Sequence, residues 1–429
     1  MDARVVEDVW RRQAPHVLAA LLRRHGDLGD CEDAAQEAAV AAASRWPTDG
    51  LPDNPRGWLI TVASRRLIDR LRADHARIGR EQAIASARPA DTYLAAPADA
   101  APDDGDDTLR LLLLCCHPSL SRSSQVALTL HAVAGLRNAQ IAAAYLVPER
   151  TMTQRLSRAR TTLRSAGAVF ALPEPADLPA RIAAVLDVCH LMFAEGHTRS
   201  AGGALVDRTT ADEAIRLTRQ LHAVIPDHDE VCGALALMLL THARSATRTR
   251  DGELVPLSEQ DRTRWDRPMI AEGVALLERV LPRGHVGRFQ LQAAIAAVHA
   301  EAATWAGTDW RQIAILYEML DRIAPSPIVT LNRAVAVGTV FGPDAGLAMV
   351  DPLLDDPTMA RHHRTHAVRA HLLELIDDTP GAIDSYRRAA QLTASIPEQR
   401  YLNARIRRLT GTAAADSARE GSQVSPERE

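Results

Sequence analysis

The chain has 429 residues, of which 46% are hydrophobic and 24% are charged, and its formal net charge is −4. This length allows two to four domains, and the composition is that of a folded globular protein with a sizeable core. Aromatic residues make up only 3%, which favours helices over sheets. The amino terminus has no signal-peptide pattern, and no apolar stretch reaches the ~20 residues that span a bilayer. We therefore expect a cytoplasmic protein with no membrane partner.

Changes in composition along the chain divide it into five segments. Two helical segments are separated by a stretch rich in Ala, Pro and Asp, which is typical of a mobile linker. A proline-rich boundary at 171–179 precedes a long helical region, and the polar carboxy terminus should be disordered. The predicted segments are 1–80 (helical), 81–108 (acidic linker), 109–170 (basic and helical), 180–410 (helical repeats) and 411–429 (disordered tail).

Within the first segment, residues 30–46 form an amphipathic acidic helix, and residues 55–72 form a helix with one basic face. In the second helix Trp58, Val62 and Leu67 can pack inward while the arginines point outward. Aromatic rings and arginines together can hold unstacked bases. Trp46 and Trp58 are candidates for that role, and burial in the core is an equally good interpretation.

Residues 135–164 have the pattern of a helix-turn-helix. Gly135 suits the left-handed end of a preceding helix over 121–134, and Asn138 can cap a short helix. A turn at Leu146–Val147 follows, and Pro148 opens the next helix. That helix has an apolar stripe of Met152, Leu156, Ala159 and Leu163.

The opposite face of this helix carries arginine, glutamine and threonine. Over 110–164 there are eight arginines and one acid, a local charge of +7. Arginine neutralises phosphates and binds guanine, and glutamine and threonine reach base edges. A helix-turn-helix with this charge indicates DNA binding, and a solvated basic face is the alternative.

The carboxy-terminal half repeats a helix–proline–helix pattern, and Pro226 lies 99 residues before Pro325, close to three 33-residue units. Residues 381–392 have the Ala/Tyr/Ala spacing of a tetratricopeptide (TPR) helix, and such repeats bind peptides or other domains. A polar cluster at 261–266 is interpreted as a structural corner, with ligand binding second. Histidines 362, 363, 366 and 371 have no HExxH arrangement and are interpreted as solvated side chains.

The stretch GLRNAQIAAAYLVPERTMTQRLSRARTTLR (135–164) resembles the −35-reading domain of extracytoplasmic-function (ECF) RNA polymerase sigma factors. The resemblance implies contacts to double-stranded promoter DNA from Arg150, Thr151, Thr153, Gln154, Arg155 and Arg158. The sequence departs from the family at Pro148-Glu149-Arg150, where many relatives have a serine cap and a glycine.

The amino-terminal segment resembles the other promoter-binding module of these factors. Residues 30–46 are similar to the helix that docks on the polymerase clamp, which implies polymerase contacts from Asp33, Gln36 and Glu37. Residues 55–72 are similar to the helix that faces the melted −10 element, which implies DNA contacts from Trp58, Arg65, Arg66 and Arg72. Arg65 is a departure, since relatives commonly carry Asn there.

The motifs CCHPSL (115–120), the stretch over 236–267 and SPIVTLNRAVAV (326–337) resemble an ECF subgroup with a TPR-like extension. The resemblance implies an all-α sigma factor that binds core RNA polymerase, without cofactor, metal or enzymatic activity. Its extension would regulate activity and could bind a protein partner. The alternatives are a stand-alone helix-turn-helix regulator and an enzyme within 180–410.

Overall fold

The computed structural model describes residues 3–82, 104–145 and 147–423. These residues form an all-α fold with only four strands of two residues each, as predicted. The first eight helices are α1 (Ala3–His25), α2 (Leu28–Asp49), α3 (Pro55–Gln82), α4 (Asp104–Cys115), α5 (Arg122–Ala132), α6 (Asn138–Ala144), α7 (Glu149–Ser165) and α8 (Leu178–His197).

The remaining helices occupy the carboxy-terminal half. They are α9 (Arg208–Val224), α10 (Asp229–His242), α11 (Arg267–Val280), α12 (Arg288–Glu301), α13 (Trp310–Ile323), α14 (Pro327–Phe341), α15 (Pro343–Val350), α16 (His363–Leu375), α17 (Thr379–Leu392) and α18 (Ile396–Gln423). Strand β1 (Ala201–Gly202) pairs in parallel with β4 (Ala394–Ser395), and β2 (Thr249–Arg250) pairs antiparallel with β3 (Glu253–Leu254).

The chain divides into two compact units. The first contains residues 1–191 and 219–224, and the second contains residues 192–218 and 225–429. Helix α3 runs to Gln82 and α4 begins at Asp104, inside the segment predicted as a linker, while 83–103 lie outside the described residues. Helix α18 continues to Gln423, well into the predicted tail, because the alanine-rich stretch after Thr412 has high helix propensity.

Helices α1, α2 and α3 pack on one another in the first unit. Asp27 caps α2 by accepting a hydrogen bond from the Asp30 amide at 2.9 Å, and Asn54 caps α3 by accepting one from the Gly57 amide at 2.9 Å. Their core contains Trp46, 2% exposed, and Leu59, fully buried. Trp46 is therefore a core residue, the second of the two interpretations that its sequence left open.

Helices α4 to α7 form the second module of the first unit, and Gly135 ends the stretch after α5 with a φ of 68°. The left-handed turn predicted there is confirmed. Two boundaries differ by one residue: Asn138 is the first residue of α6 and not its cap, and Pro148 precedes α7. The turn residue Leu146 lies outside the described residues.

The second unit is built from successive helices that pack against their neighbours, such as α13 on α14 and α16 on α17. Ala382, Tyr386 and Ala389 form the buried stripe of α17. Helices α10 and α12 cross closely at Gly233, where an added Cβ would lie 2.7 Å from the Gln290 backbone nitrogen. Gly233 is therefore required by packing.

The polar cluster at 261–266 forms a corner between short 3₁₀ turns and α11. Asp261 and Asp266 accept hydrogen bonds from the amides of Thr263 and Met269, both at 3.0 Å. Trp265 is buried and its Nε1 donates to the Thr247 hydroxyl at 3.0 Å. The two acids therefore have structural roles. Within the described residues, no group of three or more His, Cys, Asp or Glu side chains could hold a metal ion.

Candidate nucleic-acid interface

Helix α7 separates a buried face from an exposed one. Met152, Leu156, Ala159 and Leu163 are its buried residues, all at most 3% exposed, which confirms the predicted apolar stripe. On the other side the polar residues face solvent: Arg150, Thr153, Gln154 and Arg158 are exposed, and Thr151 and Arg155 are half-buried. All six residues of the predicted −35 site therefore lie on one helix and retain solvent access.

Contacts from α6 and its following turn hold two of these side chains. The Arg155 guanidinium carbon lies 6.0 Å from the centroid of the Tyr145 ring, a cation–π contact. The Asn138 amide donates to the Thr153 hydroxyl at 3.3 Å, and that hydroxyl donates to the Glu149 carbonyl at 3.0 Å. The first helix of the motif thus orients side chains of the second.

Helix α3 presents the predicted −10 residues. Arg65, Arg66 and Arg72 are exposed, and Trp58 is half-buried. The Trp58 ring meets the buried Trp46 edge-on, with the ring centroids 5.3 Å apart. Trp46 therefore positions Trp58 from beneath, and the remaining surface of the Trp58 ring is available to a partner.

The predicted polymerase residues on α2 lie beside the basic face of α3. Asp33 and Glu37 are exposed and Gln36 is half-buried. Arg70 donates to Asp33 at 3.0 Å and to Glu37, and Arg66 lies 3.8 Å from Glu37. The sequence did not predict these ion pairs, because they join residues on different helices that are 29 to 37 positions apart.

A second set of ion pairs joins α7 to α2. The Arg160 Nε donates to the Glu32 carboxylate at 2.5 Å, and the Arg164 Nε donates to Asp27 at 2.7 Å. Glu32 is only 3% exposed, whereas the Arg164 side chain is 64% exposed. Burial raises the pKa of Asp27, but hydrogen bonds from Arg164 and the Asp30 amide outweigh it and leave that pKa below its ordinary value.

These two pairs separate the arginines of α7 into two groups. Arg160 and Arg164 bind acids of the same chain. Arg150, Arg155 and Arg158 have no carboxylate partner among the described residues. The part of the helix that is free for DNA is therefore its amino-terminal half.

Each of the two modules of the first unit matches a known protein family. Residues 9–77 match the family model for sigma-70 region 2, and residues 110–163 match the model for sigma-70 region 4. Residues 181–281 match a family of unknown function, DUF6596. No solved structure gives a significant match.

Two kinds of relative are similar in sequence. An uncharacterized protein of Rhizobium meliloti (strain 1021) is 38% identical over 409 residues, which cover 95% of this chain and 96% of that protein. The probable ECF RNA polymerase sigma factor SigI of Mycobacterium tuberculosis, in strains CDC 1551 / Oshkosh and ATCC 25618 / H37Rv, is 31% identical over 184 residues, which cover 43% of this chain and 62% of SigI.

The fold and the exposed basic helix define a DNA-binding protein with two helical promoter-recognition modules. The chain belongs to the ECF type of RNA polymerase sigma factors, with sigma-70 regions 2 and 4 followed by a DUF6596 helical extension. It directs promoter recognition by RNA polymerase and is not an enzyme. No helix of the described residues is long and apolar enough to cross a membrane.

Proposed function

We propose that α7 reads the −35 element with Arg150, Thr151, Thr153, Gln154, Arg155 and Arg158. The observation that carries this proposal is the division of α7 into a fully buried apolar stripe and a solvent-accessible polar stripe. An α-helix fits the major groove, where arginine binds guanine and glutamine binds adenine. Arg155, held over Tyr145, is the best-oriented base-contacting candidate.

We assign to region 2 the contacts with the melted −10 element and with core polymerase. Trp58, with Arg65, Arg66 and Arg72, faces the melted −10 strand, since aromatic stacking and arginine contacts hold single-stranded bases. Asp33, Gln36 and Glu37 bind core polymerase, and Asp33 and Glu37 are supported by their exposure. Because Arg66 and Arg70 pair with these acids, polymerase binding would release arginines next to the −10 surface.

The −35 assignment is tested with Arg155→Ala in the full-length chain. We expect a loss of about 1–3 kcal/mol of promoter affinity in the presence of core polymerase, concentrated at one base position. Arg388→Ala, on an exposed position of α17, is the matched control and should leave affinity unchanged. Equal promoter affinity for Arg155→Ala and the wild type would refute the assignment.

Because ion pairs join α7 of region 4 to α2 of region 2, we expect the two regions to separate when the chain binds a promoter. The −10 and −35 elements are about 25 base pairs apart, which is about 85 Å of DNA. The ion pair between Arg160 and Glu32 holds the two modules in direct contact. With the modules in contact, the chain cannot bind the −10 and −35 elements at the same time.

The carboxy-terminal extension is assigned a regulatory role on a TPR-like scaffold, supported by its successive packed helices and the buried stripe of α17. The start of α8 belongs to the first unit, since Arg122 pairs with Asp187 at 2.5 Å and Arg181 donates to the Leu113 carbonyl at 2.5 Å. A deletion that tests regulation should therefore keep residues up to Leu191. Unchanged promoter output after this deletion would exclude the regulatory role.

A further inference from the structure

A cluster of cationic side chains lies inside the second unit, three of them in the connection between α10 and α11 and one on α12. Arg244 and Arg248 follow α10, Arg262 lies before α11, and His299 is on α12. Packing brings them together: the Asp266 amide donates to the Ala243 carbonyl, next to Arg244, at 2.9 Å, and Arg262 donates to the His299 carbonyl at 2.7 Å. Arg244 is close enough to act electrostatically on Arg248, Arg262 and His299. We call these four residues, with Tyr317, the arginine cluster.

Among the residues that the structure describes, no carboxylate forms an ion pair with any of the three guanidinium groups. Arg248 donates to the carbonyl of His197 and to the Thr198 hydroxyl at 2.7 Å. Arg262 donates to the carbonyls of His299 and Ala302 at 2.7 and 2.8 Å. All of these acceptors are neutral. Three positive charges therefore lie together with no carboxylate bound to any of them in the described part of the chain.

Arg244 is the least satisfied member of the arginine cluster. Its guanidinium makes no hydrogen bond or ion pair with any described residue; Arg248, Arg262 and His299 are its cationic neighbours, and the Tyr317 hydroxyl is also near. Protein encloses the side chain, yet Arg244 keeps partial solvent access, as do Arg248, His299 and Tyr317. An arginine guanidinium carries five N–H donors, so Arg244 can still bind a hydrogen-bond acceptor.

The acid that acts electrostatically on Arg248 is already bound to other groups. Glu398 acts on Arg248, but its carboxylate binds His363 at 3.1 Å and the Thr393 hydroxyl at 2.7 Å. Burial and Arg262 lower the pKa of Arg244 to about 10, and burial with Arg244 and Arg364 lowers the pKa of Arg248 to about 9. Both groups remain charged at neutral pH, where enclosing an uncompensated charge is costly.

An aromatic wall adjoins the arginine cluster. The His299 ring meets Trp310 edge-on with centroids 5.2 Å apart, and Trp310 meets Trp305 at 4.7 Å. Trp305 is 37% exposed, so this wall also has solvent access. An apolar or flat group attached to an anion would find a surface to pack on.

We propose that the arginine cluster is a binding site for a small organic anion, whose carboxylate or phosphate group pairs with Arg244 and Arg248. The forked guanidinium of arginine is suited to planar bidentate pairing with either group. Tyr317 offers a hydroxyl donor beside Arg244, and the aromatic wall holds the body of the ligand. The site is independent of the promoter-binding residues.

The test is calorimetric titration of the full-length chain with inorganic phosphate, acetate, phenyl phosphate and benzoate at constant ionic strength. The first two probes compare the acidic groups, and the last two add a ring for the aromatic wall. We expect binding of at least one probe, and Arg244→Gln should weaken it about tenfold or more. Arg388→Gln, on the exposed face of α17, should bind as the wild type does.

No binding of any probe at millimolar concentration, or equal binding by Arg244→Gln and the wild type, would overturn the proposal. If Arg244→Gln does not fold, arginine-directed labelling of the wild-type chain with phenylglyoxal replaces it. The probe that binds should protect Arg244 from labelling and leave Arg388 unprotected. Equal labelling of Arg244 with and without the probe would overturn the proposal by this route.

Discussion

The contact between α7 and α2 gives the sharpest prediction about the sigma modules. Arg160 and Glu32 form a largely buried ion pair at 2.5 Å, with 22% and 3% of their side chains exposed. The second Glu32 oxygen has no hydrogen-bond partner within the described part of the chain and lies 4.0 Å from His131 Nε2. In the closed form, in which α7 packs on α2, Arg160→Gln removes the positive charge that compensates the buried Glu32 carboxylate. The uncompensated carboxylate then destabilises the closed form, but not an open form in which the modules have separated.

The structure sets the size of the effect. Removing one partner of a fully buried pair costs about 3–5 kcal/mol. Arg160 keeps some solvent contact, so we expect ~2–3 kcal/mol, which shifts the closed–open equilibrium about 30- to 150-fold towards the open form. Arg164 is 64% exposed, and Arg164→Gln should cost only about 0.2–1 kcal/mol.

The assay is fluorescence energy transfer between dyes on Ser44→Cys in α2 and Ser165→Cys in α7, both exposed positions. The five native cysteines are buried and should not react. Arg160→Gln should lower the transfer efficiency and Arg164→Gln should hardly change it. Equal effects of the two substitutions, or an Arg160→Gln effect that persists undiminished with Glu32→Gln, would refute the reasoning.

Three further predictions concern other parts of the molecule. Trp58→Ala should weaken promoter melting by about 1–3 kcal/mol, seen as reduced permanganate reactivity at −10, while Trp58→Phe keeps most of the activity. Burial is the main cause that lowers the pKa of His299 to about 4, so as the pH falls the unfolded chain binds a proton at this residue before the folded chain does. Thermal stability should therefore drop between pH 6.5 and about 4. His299→Gln should make that drop smaller. Gly233→Ala forces a Cβ to 2.7 Å from the Gln290 nitrogen and should cost about 1–3 kcal/mol in urea unfolding, whereas Gly203→Ala, in open space, should cost little.

Local patterns predicted the helix-turn-helix well. The stripe of Met152, Leu156, Ala159 and Leu163 and the left-handed turn at Gly135 follow from 3.6-residue periodicity and from glycine's freedom at positive φ. These features depend on neighbours within a few residues. The helix ends shifted by one residue at Asn138 and Pro148, which is the usual precision of such patterns.

Features that depend on distant residues could not be predicted. The pairing of Arg160 with Glu32 joins positions 128 apart, and nothing in either local sequence indicates it. The arginine cluster likewise forms only when the connection between α10 and α11 folds back on itself and packs near α12. The sequence marked Arg262 as part of a polar corner, and Arg244 lies outside the segment that it marked.

The central claim is that this chain directs polymerase to promoters through regions 2 and 4. Run-off transcription with purified core RNA polymerase, the full-length chain and its own upstream region tests it most directly. The account predicts a discrete transcript that needs the chain and is reduced by Arg155→Ala but not by Arg388→Ala. No transcript, together with no binding of the chain to core polymerase, would contradict it.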